Sequence, residues 1–322
     1  MNLENNHVQI YAGSPGTKRK KRSFYKDLAN WQLYLMMLLP VVYVIIFHYL
    51  PMYGIVIAFQ NYSPLKGIMD STWVGFTHFN RFFHSYQFLK ILKNTLIISF
   101  YSLIAGFPFP IILALSLNYI ENKTFKKTVQ MTTYAPHFIS TVVMVGILTQ
   151  MLSMRTGFIN NVIELVGGQR IDFLGIDTLF RHIYVWSGVW QNAGWGSIVY
   201  IAALAGVDPQ LHEAAIIDGA NKLKRVWHID LPSILPTIVI TLIMNLGGIL
   251  NVGFQKVFLL QNNINRDAAE VIDTYVYNVG INSGLPNFSY ATAISLTKSV
   301  VSLILIFIVN RIARKVSETS LW

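Results

Sequence analysis

Cysteine is absent from the 322-residue chain, which excludes disulfides, thiolate chemistry and cysteine-based metal sites. Charge is scarce too. Asp, Glu, Lys and Arg make up 12% of residues, against about 25% in an ordinary soluble domain. No Gly-x-x-x-x-Gly-Lys-Ser/Thr phosphate loop occurs, so any nucleotide must be bound by another polypeptide. Neither a Ser-His-Asp set nor a metal-ligand set can be assembled from the residues present, so no enzymatic or cofactor-binding centre is expected. What is abundant is apolar: 53% of residues are hydrophobic, the mean hydropathy is +0.45, and these residues gather into long runs. That pattern indicates an integral membrane protein. The net charge of +10 lies in short clusters between the runs. With no basic-aromatic platform, it reads as a topology signal and not as a nucleic-acid surface.

Six segments are long enough to cross a bilayer: 32–50, 95–117, 129–152, 183–206, 234–259 and 290–310. The fold class is therefore all-α, a polytopic membrane protein with six transmembrane helices. The polar leader ends in Lys18-Arg19-Lys20-Lys21-Arg22, and the apolar run after it has no small-residue cleavage site, so it reads as an uncleaved first span. With the N-terminus in the cytoplasm, most of the 25 Lys and Arg fall on inside segments, among them Lys26, Lys123, Lys126, Lys127, Lys222, Lys224, Arg225, Arg311, Arg314 and Lys315. Both termini are then cytoplasmic. The outside segments, 51–94, 153–182 and 260–289, are turn-rich, as suits docking surfaces or plain connectors.

The spans contain no Asp or Glu. An ion-coupled secondary carrier usually needs a midplane carboxylate, so this alternative is disfavoured and the energy source is expected outside the bilayer. Gly106-Phe107-Pro108-Phe109-Pro110 should break the second span, Pro136 the third, and Pro236 with Gly247-Gly248 the fifth. Such residues serve either hinges around a cavity or close helix packing; Ala202 and Gly206 have the spacing for the latter.

The segment 207–232 has a clear local design. Asp208 is a good N-cap and Pro209 a good first helical residue. Leu211, Ala214 and Ala215 share a face, and Gly219 can take the left-handed conformation that ends a helix. A second short helix would present Leu223, Val226 and Trp227, and Pro232 opens the next span. Two short helices joined at a glycine make a rigid elbow.

Glu213-Ala214-Ala215, then Gly219, Ile229 and Leu231-Pro232 at fixed spacing, resembles the "EAA" signature of binding-protein-dependent ABC importer permeases. Asp218 and Ala220 match the sugar-permease form, whereas Val226 stands where those permeases often carry Phe. Asn94-Thr95-Leu96 looks like the start of that family's core domain. Pro136-His137-Phe138-Ile139-Ser140, Trp190 to Gly196, Asp273 to Tyr277 and the closing Ser320-Leu321-Trp322 are similar to the branch that imports complex oligosaccharides. The resemblance implies a type I ABC importer permease fold. It divides the chain into a tail 1–31, a first span with its external segment 32–93, a core domain 94–310 and a tail 311–322. It further implies that Glu213, Ala214, Ala215, Asp218, Gly219, Ala220, Leu223 and Trp227 couple the chain to an ATPase. The partners would be a second homologous permease, two cytoplasmic ATPase subunits and an extracytoplasmic sugar-binding protein. ATP and Mg would be used by the ATPases, with no cofactor on this chain.

A sugar path needs aromatic faces and amides. Trp190, Asn192 and Trp195 in the fourth span and Asn245 in the fifth are candidates, with interfacial anchoring the alternative for tryptophans. His137 reads as a packing residue or a gate. Lys298, central in the sixth span, should face the cavity or a subunit interface, with Asp273, the second permease or cavity water neutralising it.

Overall fold

The computed structural model describes residues 31–316, with side chains to residue 312. The basic cluster Lys18 to Arg22, Lys26, the closing Ser320-Leu321-Trp322 and the side chains of Arg314 and Lys315 lie outside the described residues. The chain divides into two units, one ending at Gly54 and one beginning at Ile55. In the first, α1 (Trp31–Val44) carries Pro40 within it and runs on through a wider turn at Ile45–Tyr49.

The second unit opens with a feature the all-α expectation did not include. Strands β1 (Gln60–Ser63) and β2 (Gly67–Trp73) pair antiparallel, with Gln60 opposite Trp73. Gly67, at φ +72°, makes the reversal that a side chain would strain. Helices then dominate: α2 (Tyr86–Gly106), α3 (Pro108–Asn118), α4 (Lys123–Tyr134), α5 (Thr141–Leu152), α6 (Asp177–Leu204), α7 (Pro209–Ile217), α8 (Lys222–Arg225), α9 (Leu231–Gly247), α10 (Phe254–Leu260), α11 (Ile272–Tyr277) and α12 (Phe288–Val316).

The breaks differ from the expectation in instructive ways. The prolines after Gly106 do not interrupt the second span: Phe107 stays helical and donates to the Leu103 carbonyl, so Tyr86–Asn118 is one 33-residue helix. Pro108 falls at a helix N-terminal position, where its missing N–H costs little. Pro136 does redirect the chain. Lys123–Phe138 and Thr141–Leu152 meet at 99°, so the third span is a bent pair. The fifth span does not reach residue 259, because α9 ends at Gly247, with Gly248 as its C-cap, and α10 is a separate helix. Among the described residues, four helices are long and apolar enough to cross a membrane, or five if the bent pair is one span. The 28-residue α6 is long enough but carries Ser187, Gln191, Asn192 and Ser197 in its middle.

Three buried clusters hold the second unit together. Ile98, Met144, Phe180, Val257 and Val271 fill one, and Phe82, Ile91, Tyr290 and Ile294 a second. The third, Ala114, Leu115, Tyr200, Leu204 and Ile234, sits at the elbow end of the bundle, and Val226 packs against it. Close helix approach falls on Gly194 and Gly196, not on Gly206. A Cβ at Gly194 would stand 2.0 Å from the Thr133 carbonyl oxygen and one at Gly196 3.1 Å from Pro110, whereas Gly206 meets only its own turn.

Candidate functional site

The elbow forms as its local sequence dictates. Asp208 caps α7 by accepting the Gln210 N–H at 2.9 Å. Gly219 lies at φ +75°; its N–H donates to the Ile216 carbonyl, and that of Ala220 to the Ala215 carbonyl. These two bonds are the double closure that a left-handed glycine permits at a helix C-terminus. Asn221 caps α8 through the Lys224 N–H at 2.8 Å. Glu213, Ala214, Asp218 and Gly219 are exposed, and Ala215 and Ala220 are half-buried. Leu211, Ile216, Ile217, Leu223 and Trp227 also lie open to the surroundings. This much apolar surface on one surface element marks a contact face.

Beneath the elbow lies a polar cluster that sequence reasoning did not assemble. Asp230 is fully buried; it accepts the Tyr119 hydroxyl at 2.6 Å and faces His212 Nε2 at 3.4 Å. The Arg225 guanidinium lies over the Tyr119 ring at 5.3 Å, and Lys222 reaches Glu121 at 3.3 Å. Burial and the Asp230 carboxylate together push the Tyr119 hydroxyl well above its ordinary range, so it stays a donor. Asp230, Tyr119 and His212 come from the approach to α9, the end of α3 and α7, so no single segment signals the cluster.

Deeper in the bundle, α2, α3, α6, α9 and the 248–256 segment enclose a cavity of about 540 Å³. Its polar wall includes Ser99, Gln191, Asn192, Asn245, Asn251 and Lys256. Asn192 and Asn245 thus meet at one space, while Trp190, Trp195 and Lys298 are not on that wall. The His137 ring stacks on Trp195 at 4.6 Å and 3°, and its Nδ1 lies 3.1 Å from Asn192 Oδ1. Gln191 Nε2 donates to the Ile139 carbonyl at 2.9 Å. The bend after Pro136 is therefore fastened to α6 by two residues of the cavity wall, Gln191 and Asn192, and by Trp195 beside them. Lys298 donates to both oxygens of Asp273, at 2.7 and 2.8 Å. Asn94 and Thr95 tie α2 to the 267–272 segment: Asn94 donates to the Asp267 and Glu270 carbonyls, and Thr95 Oγ1 accepts the Ile272 N–H. Among the described residues no group of His, Asp or Glu is arranged to hold a metal.

Apolar helices around a polar cavity, with an exposed amphipathic elbow at one end, define a membrane-embedded transport subunit. The chain belongs to the family of binding-protein-dependent transport system inner membrane components, whose model matches residues 106–318. It is 45% identical over 305 residues to the polygalacturonan/rhamnogalacturonan transport system permease protein YteP of Bacillus subtilis, covering 95% of this chain and 94% of that one. It is 44% identical to Protein LplB of the same organism, over 90% of this chain and 91% of that one. A crystal structure of a bacterial alginate ABC transporter in complex with an alginate pentasaccharide-bound periplasmic protein superposes with a TM-score of 0.84 at 39% identity, covering 92% of this chain and 99% of that one. The chain is thus a permease subunit of an ABC importer, a multi-pass membrane protein that performs no catalysis itself and works with a binding protein. The ion-coupled alternative falls with that membership.

Proposed function

We propose that this permease carries an oligosaccharide through the cavity between α2, α6 and α9. The observation that carries the reading is the wall itself, where amides and hydroxyls from Ser99, Gln191, Asn192, Asn245 and Asn251 surround one space large enough for sugar rings. Relatives with 45% and 39% identity are named for polygalacturonan and for alginate, which supports a polysaccharide-derived cargo. Six crossings with both termini cytoplasmic fit the clustering of positive charge, with α6 and the bent α4–α5 pair completing the count.

The remaining partners follow from the elbow. A second, homologous permease completes the pathway, and two ATPase subunits that use ATP and Mg bind from the cytoplasm. The exposed apolar face of Leu223 and Trp227, with Glu213, Ala214, Ala215, Asp218, Gly219 and Ala220 shaping it, enters a cleft on the ATPase. ATP binding draws the two elbows together, and the helices they continue into switch the cavity from inward- to outward-facing. The cysteine-free sequence makes a direct test simple. Leu223→Cys should cross-link to an ATPase subunit carrying one cysteine in its cleft, and nucleotide should change the yield. No cross-linked product from any position of α7 or α8 would remove the elbow from the contact.

A further inference from the structure

Lys256 is the one lysine or arginine on the cavity wall, and no Asp or Glu lines it. The side chain is 9% exposed, and Nζ donates to the Tyr184 carbonyl at 2.6 Å while lying 4.6 Å from the centre of the Tyr184 ring. Among the described residues no carboxylate lies within 4 Å of Lys256, whereas Lys298, the other lysine held between helices, pairs with Asp273 at 2.7 Å. Gly188 leaves the space the ammonium occupies, since a Cβ there would come within 3.2 Å of Nζ. A carbonyl and a ring face offset part of the cost of holding a positive charge out of water, but neither supplies a countercharge. An ammonium has three donors, and the one known acceptor leaves donors for the cavity.

We propose that Lys256 selects for anionic cargo, so that the saccharide carried is one containing uronic acids. This rests on the reading of the cavity as the sugar path. A carboxylate on a sugar ring would take a charge-assisted hydrogen bond from Nζ, shorter and stronger than any bond to a hydroxyl. Burial between helices would strengthen that attraction relative to open water. The amides of Asn192, Asn245 and Asn251 on the same wall are suited to the remaining hydroxyls. A neutral saccharide would leave the cation without a countercharge, so the site discriminates by what it leaves unpaired as well as by what it pairs.

The alternative role for Lys256 is a staple, its ammonium merely joining α10 to α6 through the Tyr184 carbonyl. Lys256→Gln separates the two, since it keeps a donor for that carbonyl and removes the charge. Lys256→Arg keeps the charge. The complete importer, with its second permease, ATPases and binding protein, is reconstituted in liposomes. It is offered galacturonate, mannuronate and glucuronate trisaccharides and the same trisaccharides after reduction of their carboxyl groups to neutral sugars. The wild type should accumulate at least one uronate in preference to its reduced counterpart. Lys256→Gln should raise the KM for that uronate about tenfold, the loss of one charge-assisted bond, with complex yield unchanged. Lys256→Arg should stay near wild type. Uronate uptake by Lys256→Gln at the wild-type KM, or a fall in complex yield matched by Lys256→Arg, would identify a staple and overturn the proposal. Preferential uptake of reduced trisaccharides by the wild type would overturn it while leaving the sugar reading intact. Failure of ATP to drive any saccharide would remove both.

Discussion

Gly194→Ala should be the most disruptive single-methyl change in the bundle. The added Cβ would stand 2.0 Å from the Thr133 carbonyl oxygen and 2.4 Å from its carbonyl carbon. Both are backbone atoms, so no side chain can rotate aside. Ordinary contact begins near 3.4 Å, so α4 and α6 must part by about 1.4 Å. Overpacking of this kind costs about 1–3 kcal/mol. The same displacement carries the bond from Gln191 to the Ile139 carbonyl, now 2.9 Å, out of range. Losing one such bond adds about 0.5–1.5 kcal/mol, for a total of about 1.5–4.5 kcal/mol. Two neighbours calibrate the argument. Gly196→Ala meets Pro110 ring carbons at 3.1 and 3.3 Å, which can shift by a few tenths of an ångström, so about 1 kcal/mol or less is expected. Gly106→Ala meets Val189 at 3.9 Å, an ordinary contact, and should be neutral or slightly stabilising. Heating the purified importer and measuring the fraction still assembled by size-exclusion chromatography gives the order directly. Gly194→Ala should melt lowest, Gly196→Ala between, and Gly106→Ala at or above wild type. A Gly194→Ala complex as heat-resistant as Gly106→Ala would refute the close crossing of α4 and α6.

Other perturbations test other joints. Lys298→Met strands Asp273, whose side chain is 27% exposed, and should cut the yield of assembled importer, at a cost below the about 3–5 kcal/mol of breaking a fully buried pair because water still reaches the carboxylate. Adding Asp273→Leu should restore most of that yield, and full yield from the single variant would show the pair to be idle. Asp230→Ala leaves the Tyr119 hydroxyl without its acceptor, at about 1–3 kcal/mol, and frees the elbow from its base; ATP consumed per sugar imported should rise several-fold, and an unchanged ratio would count against a rigid elbow. Gly219→Val places a branched side chain at φ +75° and should cost about 1–3 kcal/mol locally and weaken ATPase association, whereas Gly219→Asn should bind nearly normally. Replacing 281–287 by a Gly/Ser linker should abolish stimulation of ATP hydrolysis by the loaded binding protein while basal hydrolysis survives; equal stimulation would take that segment off the docking surface.

The elbow was legible in the sequence because every feature that forms it is local. Asp208 caps within two residues, Asn221 within three, and the turn at Gly219 closes through Gly219 to Ile216, three positions earlier, and Ala220 to Ala215, five positions earlier. Tertiary context decides the rest. Pro108 and Gly248 look like equal breakers in one dimension, yet the helix passes through the first and stops at the second. The β1–β2 hairpin hid inside a turn-rich stretch, since four residues of Gln-Asn-Tyr-Ser carry little alternation. Asp273 was among the possible partners of Lys298, 25 residues away, and the ion pair is present. The cavity was half legible: Asn192 and Asn245 are unusual in apolar runs, but Lys256, near the end of the expected fifth span, carries no signal of its role until α10 separates from α9 and places it on the cavity wall. The pairing of Pro136–His137 with Trp190–Trp195 had no periodic signature; it depends on a 99° bend that spacing alone does not specify.

The central claim is that this chain moves saccharide only as part of an ATP-driven importer. Uptake of labelled oligosaccharide into liposomes holding the complete complex, with sodium and proton gradients collapsed by ionophores, tests it most directly. The account predicts accumulation that requires ATP on the ATPase side and the binding protein on the other, and that is indifferent to the ionophores. Uptake by this chain without ATPase subunits, driven by an imposed ion gradient and abolished by the ionophores, would contradict it.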